Sequence, residues 1–154
     1  MTDKTLANHV ISPRSRRNLL DAMKGEAFAY AKYKLFAKQA RERGHLEVAA
    51  LFDKTADQEF FEHFHEEAQL LGLVGTDEQD LNRAIADESF EIDTMYRNYA
   101  QQAREDGDET VATRFDEIRS DEVSHQLAFE EALTELQTRT RLAKAGLGSK
   151  AHDF

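Results

Sequence analysis

The chain has no cysteine, no tryptophan and one proline in 154 residues. Without cysteine there can be no disulfide, no thiolate metal site and no cysteine nucleophile. Any metal the protein holds must therefore sit on carboxylate and imidazole, donors that suit iron, manganese or zinc. Positive charge is also short: 20 Lys and Arg stand against 30 Asp and Glu, a net charge of −10. No basic stripe offsets that excess, which argues against a nucleic-acid or anionic-membrane partner. No run of about 18 apolar residues is present to span a bilayer, and the first residues lack the apolar core of a signal peptide, so a cytoplasmic protein is expected. Glycine is scarce too, with seven residues that fall mostly at the ends of apolar-periodic segments. Few windows alternate with period two. Long helices in a single all-α domain are what remains, and a chain of this length can bury a core unaided.

Taken in order, residues 1–12 carry no periodic signal and are expected to form an N-terminal arm. Ser12-Pro13 starts the first helix, serine as N-cap and proline at the first helical position. Leu19, Met23, Glu26, Tyr30, Tyr33 and Ala37 then recur at steps of three and four, up to a terminating Gly44. The second helix, about 46–71, turns Ala49, Phe52, Ala56, Glu59, Glu62, His63 and Leu70 to one face. At 100° per residue Glu62 and His63 both fall within about 60° of Glu59, whereas His65 points away. Thr76-Asp77-Glu78-Gln79 reads as a capping box for the third helix, which aligns Glu88, Glu91, Ile92, Met95, Tyr99 and Ala103 before Gly107. The fourth carries Phe115, Ile118, Glu122, His125, Phe129, Leu133 and Leu136. It is expected to end near Ala145, leaving 146–154 as a flexible tail. Four such helices over 13–145 make a four-helix bundle. Its halves, 13–72 and 76–145, are repeats: Val48, Ala49, Phe52, Asp53 and Leu70 reappear 63 residues later as Val111, Ala112, Phe115, Asp116 and Leu133.

Each helix sets glutamate on its apolar stripe near mid-length: Glu26, Glu59 with Glu62, Glu88 with Glu91, and Glu122. Unpaired buried carboxylates are costly, so a bundle that gathers this many needs cations to pair them. Two divalent ions would neutralise about four of the charges, with histidine completing the donor set. Glu122-x-x-His125 alone is a weak signal, because composition by itself yields about one such pair. A second pair, Glu62-x-x-His65, points partly off the face. The conjunction of the repeat, four glutamate-bearing stripes and matched heights is the strong signal. Tyr33 and Tyr96, within two turns of Glu26 and Glu91, fit the core as ordinary buried tyrosines, and each could also fix a ligand carboxylate by a hydrogen bond. His9, His45 and His152 lie in the ends or a turn and are expected to be solvated.

These residues resemble the rubrerythrins of the ferritin-like superfamily over roughly Asn18 to Leu136. The likeness rests on Asn18-Leu19-Leu20 with Gly25-Glu26, on Ala49-Ala50-Leu51-Phe52 with Thr55-Ala56-Asp57-Gln58-Glu59, on Glu88-x-x-Glu91 with Met95-Tyr96, and on Glu122-x-x-His125. Spacing agrees, with 18 residues from Glu26 to Gly44 and 19 from Glu88 to Gly107. The resemblance implies a ferritin-like bundle with a di-iron centre: Glu26 and Glu88 as terminal ligands, Glu59 and Glu122 as bridges, Glu91 as an extra carboxylate and His125 as the imidazole ligand. Manganese or zinc would suit the same donors. Tyr33 and Tyr96 match the family's tyrosines behind the ligands. It further implies reduction of hydrogen peroxide in oxidative-stress defence, with a ferroxidase or iron-storage role as the alternative. An oxygenase, a third option, would need an apolar tunnel near Phe60, Phe61 and Phe64. Where the family has His in the first half, this chain has Glu62, with His63 one place later. Glu62 is expected to be the ligand, and Glu62 or Glu91 to relay or accept a proton. With no cysteine-bound rubredoxin segment, the chain is similar to a short erythrin-type member that takes electrons from a separate donor protein.

In the ferritin-like arrangement the second and third helices run parallel. A chain closing its own bundle must then carry 72–80 over roughly 30 Å, close to the full reach of so short a segment. A domain-swapped homodimer is expected instead.

Overall fold

The computed structural model describes residues 11–149. The expected N-terminal arm, up to residue 10, and the end of the expected tail, from residue 150, lie outside the described residues, as do His9 and His152. Among the described residues there are helices and turns and no strand. The all-α, ferritin-like expectation is borne out as four long helices. They form two compact units, Met1–Val74 and Gly75–Phe154, each a helical hairpin.

In the first hairpin, Ser12 caps the helix Pro13–Glu42 by accepting from the Ser15 amide, with Pro13 opening the first turn. The helix stops where Gly44 takes φ 79°, which lets the His45 amide reach back to the Ala40 carbonyl at 2.9 Å. The second hairpin repeats the device: Gly107 takes φ 83° and the Asp108 amide reaches the Ala103 carbonyl at 2.8 Å. Its entry is the expected capping box, Thr76 and Gln79 exchanging side-chain bonds to each other's amides. Ion pairs repeat as well. Arg41 with Asp53 and Arg104 with Asp116 each cross from one helix of a hairpin to the next. Being partly solvated, they contribute at most about 1 kcal/mol each and serve mainly to fix register.

Small residues form the seam inside each hairpin. Ala37, Ala40, Ala49, Ala56 and Ala68 are buried in the first, with Met23; Ala100, Ala103 and Ala112 are buried in the second, with Ile92. Alanine at the contact lets two helices approach closely.

The second and third helices are not uniformly α. The second runs as Leu46–Gln58, then a π segment Glu59–Phe64, then His65–Leu71. The third runs as Asp77–Phe90, a π segment Glu91–Met95, then Tyr96–Glu105. A π turn accommodates one extra residue without breaking the helix, and the repeat shows where. Met23 and Glu26 match Ile85 and Glu88 at an offset of 62, whereas Tyr33, Ala37 and Ala40 match Tyr96, Ala100 and Ala103 at 63. The extra residue lies in the third helix, within its π segment. Ala49, Phe52 and Glu59 match Ala112, Phe115 and Glu122 at 63; beyond the π segment of the second helix the offset returns to 62, pairing half-buried Phe64, Glu67 and Leu71 with half-buried Gln126, Phe129 and Leu133. Leu71, and not the exposed Leu70 of the sequence reading, is therefore the structural counterpart of Leu133. The fourth helix, Glu109–Ser149, continues past Gly146 instead of stopping near Ala145.

Candidate metal centre

Each hairpin gathers two glutamates and one histidine at mid-length. In the first, Glu26, Glu59 and His63 each offer a ligand atom, all within 4.8 Å of one another. His63 Nδ1 stands 2.7 Å from Glu59 Oε2 and 4.0 Å from Glu26 Oε2. In the second, Glu88, Glu122 and His125 make the same set. His125 Nδ1 is 2.6 Å from Glu122 Oε2 and 3.9 Å from Glu88 Oε1. The two triads repeat each other down to the ordering of short and long contacts.

The electrostatics show what these groups lack. Burial, then the hydrogen bond and charge of Glu59, hold the Glu26 carboxyl above its ordinary range. Burial, then Glu122, does the same to Glu88. Each carboxylate of such a pair makes its neighbour harder to ionise. His63 is raised in turn, first by its bond to Glu59. Glu88 Oε2 is buried without any hydrogen-bond partner. An orphaned carboxylate oxygen beside a second carboxylate and an imidazole fits a divalent cation, and the hard oxygen-rich set fits iron, manganese or zinc.

The π segment decides which side chain joins the first triad. In an α-helix Glu62 and His63 would flank Glu59 about equally. A π turn advances each residue by less, roughly 85° where the α value is 100°. The fourth residue on, His63, then comes round over Glu59, and the third, Glu62, is carried off the face. Glu62 accepts instead from Gln58 Nε2 at 3.1 Å, in an exposed position. In the second hairpin the turn holding Glu122 is regular, and His125 at the third place closes the triad.

Glu91 stands at the start of the other π segment, its carboxyl raised by burial first and then by the charges of Glu122 and Asp87. It therefore lies beside the second triad without belonging to it. Tyr96 is raised by burial, then by Glu91, Glu122 and Glu88; its ring packs on Phe115 with centroids 6.0 Å apart. Tyr33 stacks on Phe52 at 5.9 Å, the matching place in the first hairpin. Phe60 stacks on Phe64 at 5.7 Å and packs on Phe61 and Tyr30, an aromatic cluster that leaves Phe60 and Phe61 exposed. Around the second triad, Gln126 Nε2 donates to Ser89 Oγ at 2.9 Å, and Ser89 donates to the Ile85 carbonyl at 2.7 Å.

Residues the sequence reading passed over also appear. Glu67 has a buried, unpartnered Oε2 and adds its charge to Glu26. Its signal, a glutamate four places after His63, was present but sat on the wrong face until the π turn is allowed for.

Comparison with known proteins gives a consistent result. The Rubrerythrin family profile matches residues 17–133. The chain is 33% identical to a rubrerythrin of Nitratidesulfovibrio vulgaris over 129 residues, covering 75% of this chain and 67% of that protein. It is 31% identical to a rubrerythrin of Porphyromonas gingivalis over 126 residues, 73% of this chain and 62% of that protein. A nigerythrin of N. vulgaris is 31% identical over 121 residues, 70% of this chain and 60% of that protein. The chain thus spans about three-fifths to two-thirds of the length of these relatives. No helix among the described residues is long and apolar enough to cross a membrane.

Proposed function

The chain belongs to the rubrerythrin family, and on that premise we propose that it is a non-haem di-iron oxidoreductase that reduces hydrogen peroxide. The observation that carries the reading is the repeated triad, Glu26-Glu59-His63 and Glu88-Glu122-His125. In this reading Glu26, Glu59, Glu88 and Glu122 would be the carboxylate ligands and His63 and His125 the imidazole donors. Glu91 stands by as a further carboxylate, and Glu62 serves as a solvent-side proton carrier. Bound ferrous iron would supply the two electrons that convert peroxide, with two protons, into two waters.

The chain's own contribution is proton supply and placement. The raised Glu91 carboxyl retains a proton at higher pH than an ordinary glutamate, so it can deliver that proton to a departing hydroxide. Tyr96, held protonated by the same surroundings, keeps a hydroxyl donor beside Glu91. Tyr33 occupies the equivalent place in the first hairpin. Glu62, exposed and paired only to Gln58, can exchange its proton with water. Electrons for the next turnover come from a separate donor protein.

A domain-swapped homodimer is the assembly we favour. The second helix ends at Leu71 and the third begins at Asp77, so the link is shorter than the sequence suggested. Fully extended it reaches about 20 Å. From Glu59 to Leu71 and from Asp77 to Glu88 the helices together run about 35 Å, the distance a chain closing on itself with parallel second and third helices must retrace.

Iron handling is the second reading, favoured by the extra carboxylates Glu62 and Glu67, the latter with its unpartnered oxygen. The test is to load the protein anaerobically with ferrous iron, quantify it, and mix with peroxide or oxygen. Oxidation much faster with peroxide, at about two irons per chain, is expected. Many irons oxidised and retained per chain would favour storage, and failure to bind iron at all would refute both.

A further inference from the structure

The π segment of the third helix is held by a side chain that has no counterpart in the first hairpin. Arg119, half-buried on the fourth helix one turn before Glu122, donates its Nε proton to the Ile92 carbonyl at 2.7 Å. Ile92 is itself buried and lies inside the π segment Glu91–Met95. In that segment the Tyr96 amide bonds to the Glu91 carbonyl, five residues back, so the ladder has left its α spacing. The repeat gives the control. Arg119 matches Ala56 of the first hairpin, which is completely buried against a first helix that is α throughout. An arginine thus stands where it faces a π turn and an alanine where it faces none. Nothing else in the triads' roles calls for Arg119: it pairs with no glutamate of either set, and its bond is to backbone.

We propose that Arg119 is a positioning residue of the candidate metal centre: its bond to the Ile92 carbonyl fixes the π turn Glu91–Met95 and thereby where the Glu91 carboxylate stands. A wider turn is poorer in hydrogen-bond geometry than the α-helix on either side and can migrate along the helix by exchanging partners. A charged donor on one of its carbonyls, fixed from the neighbouring helix, anchors it at one register. Moving the turn by one residue would swing Glu91 off the face that carries Glu88. This inference rests on the reading of the site given above, but its first test does not need a metal.

The experiment uses the full chain as Arg119→Leu and Arg119→Lys, compared with the unaltered protein. Amide hydrogen exchange on metal-free protein is expected to quicken about tenfold or more at residues 92–97 in Arg119→Leu. Residues 59–64, a π segment with no such arginine, serve as the internal reference and should not change. Arg119→Lys keeps a donor and should recover most of the protection. Cobalt(II) is then added as the probe: the visible absorption of the bound ion should shift in Arg119→Leu and return towards the original in Arg119→Lys. Unchanged exchange at 92–97, or equal quickening in both π segments, overturns the proposal. If the unaltered protein binds no cobalt, the metal-centre reading falls, while the exchange result still decides whether Arg119 anchors the turn.

Discussion

Exchanging His63 for glutamine should weaken metal binding far more than exchanging Glu62 for glutamine. The magnitude follows from the first triad. Sites with four protein ligands bind their ion with about 10–16 kcal/mol, or roughly 3 kcal/mol per donor. Losing one donor of three therefore costs about a hundredfold in affinity. His63 stands where such a donor is needed, 2.7 Å from Glu59 and 4.0 Å from Glu26. Glu62 lies outside the triad; its bond is to exposed Gln58, worth about 0.5 kcal/mol or less. Competition of cobalt(II) between the protein and a chromophoric chelator measures both variants against the unaltered chain. His63→Gln should lose one of two ions at concentrations where Glu62→Gln still holds both. The reverse order, with Glu62→Gln losing the ion, would refute the role given to the π turn and restore the α-helical phase that favours Glu62.

Other outcomes follow from the same geometry. In the metal-free protein Glu26, Glu88 and Glu91 are raised above 4.5 and His63 above 6.5, so between the unfolded and raised values the folded chain binds more protons. Stability is then present at low pH and lost as pH rises through the raised values: Tm should fall as pH rises above the ordinary carboxylate range and on past the ordinary imidazole range, bound metal should remove that slope, and a rising Tm would contradict the electrostatics. Gly107→Ala forces a side chain onto φ 83° with nothing to clash against and should cost about 1–2 kcal/mol by urea denaturation; no loss would show that the turn can relax. Light scattering on the dilute protein should give twice the 17.6 kDa chain mass, and a compact monomer would dismiss the swapped dimer. Glu122→Ala should leave at most one ion bound, read by metal analysis after desalting, since it removes the carboxylate closest to His125.

Helix number, both caps and the terminating glycines were legible because each depends on local chemistry: a serine before a proline, a Thr-x-x-Gln box, a glycine after a periodic run. Five of the six triad residues were legible as well, since glutamates on apolar stripes stand out against the cost of burying them. The sixth, His63, was not, because the segment Glu59–Phe64 does not keep the 100° per residue of an α-helix. Whether a helix widens into a π turn depends on packing against its neighbour, which no single-helix periodicity contains. One trace was in the sequence: the 19 residues from Glu88 to Gly107 against 18 from Glu26 to Gly44. That extra residue had to be absorbed inside the third helix, because both ends of the segment were already fixed.

The two π segments also offset each other. Compared hairpin with hairpin, the third helix holds one residue more than the first and the second one more than the fourth, and the two cancel: Glu26 to His63 and Glu88 to His125 are the same 37 steps. Insertions inside helices are ordinarily ruinous, because everything downstream rotates. Here each extra residue is confined to a single widened turn close to a triad glutamate, so the two triads keep the same kinds of side chain. A search for Glu-x-x-His would find Glu122 with His125 and the off-face Glu62 with His65, and would miss Glu59 with His63; aligning by helix phase recovers both triads.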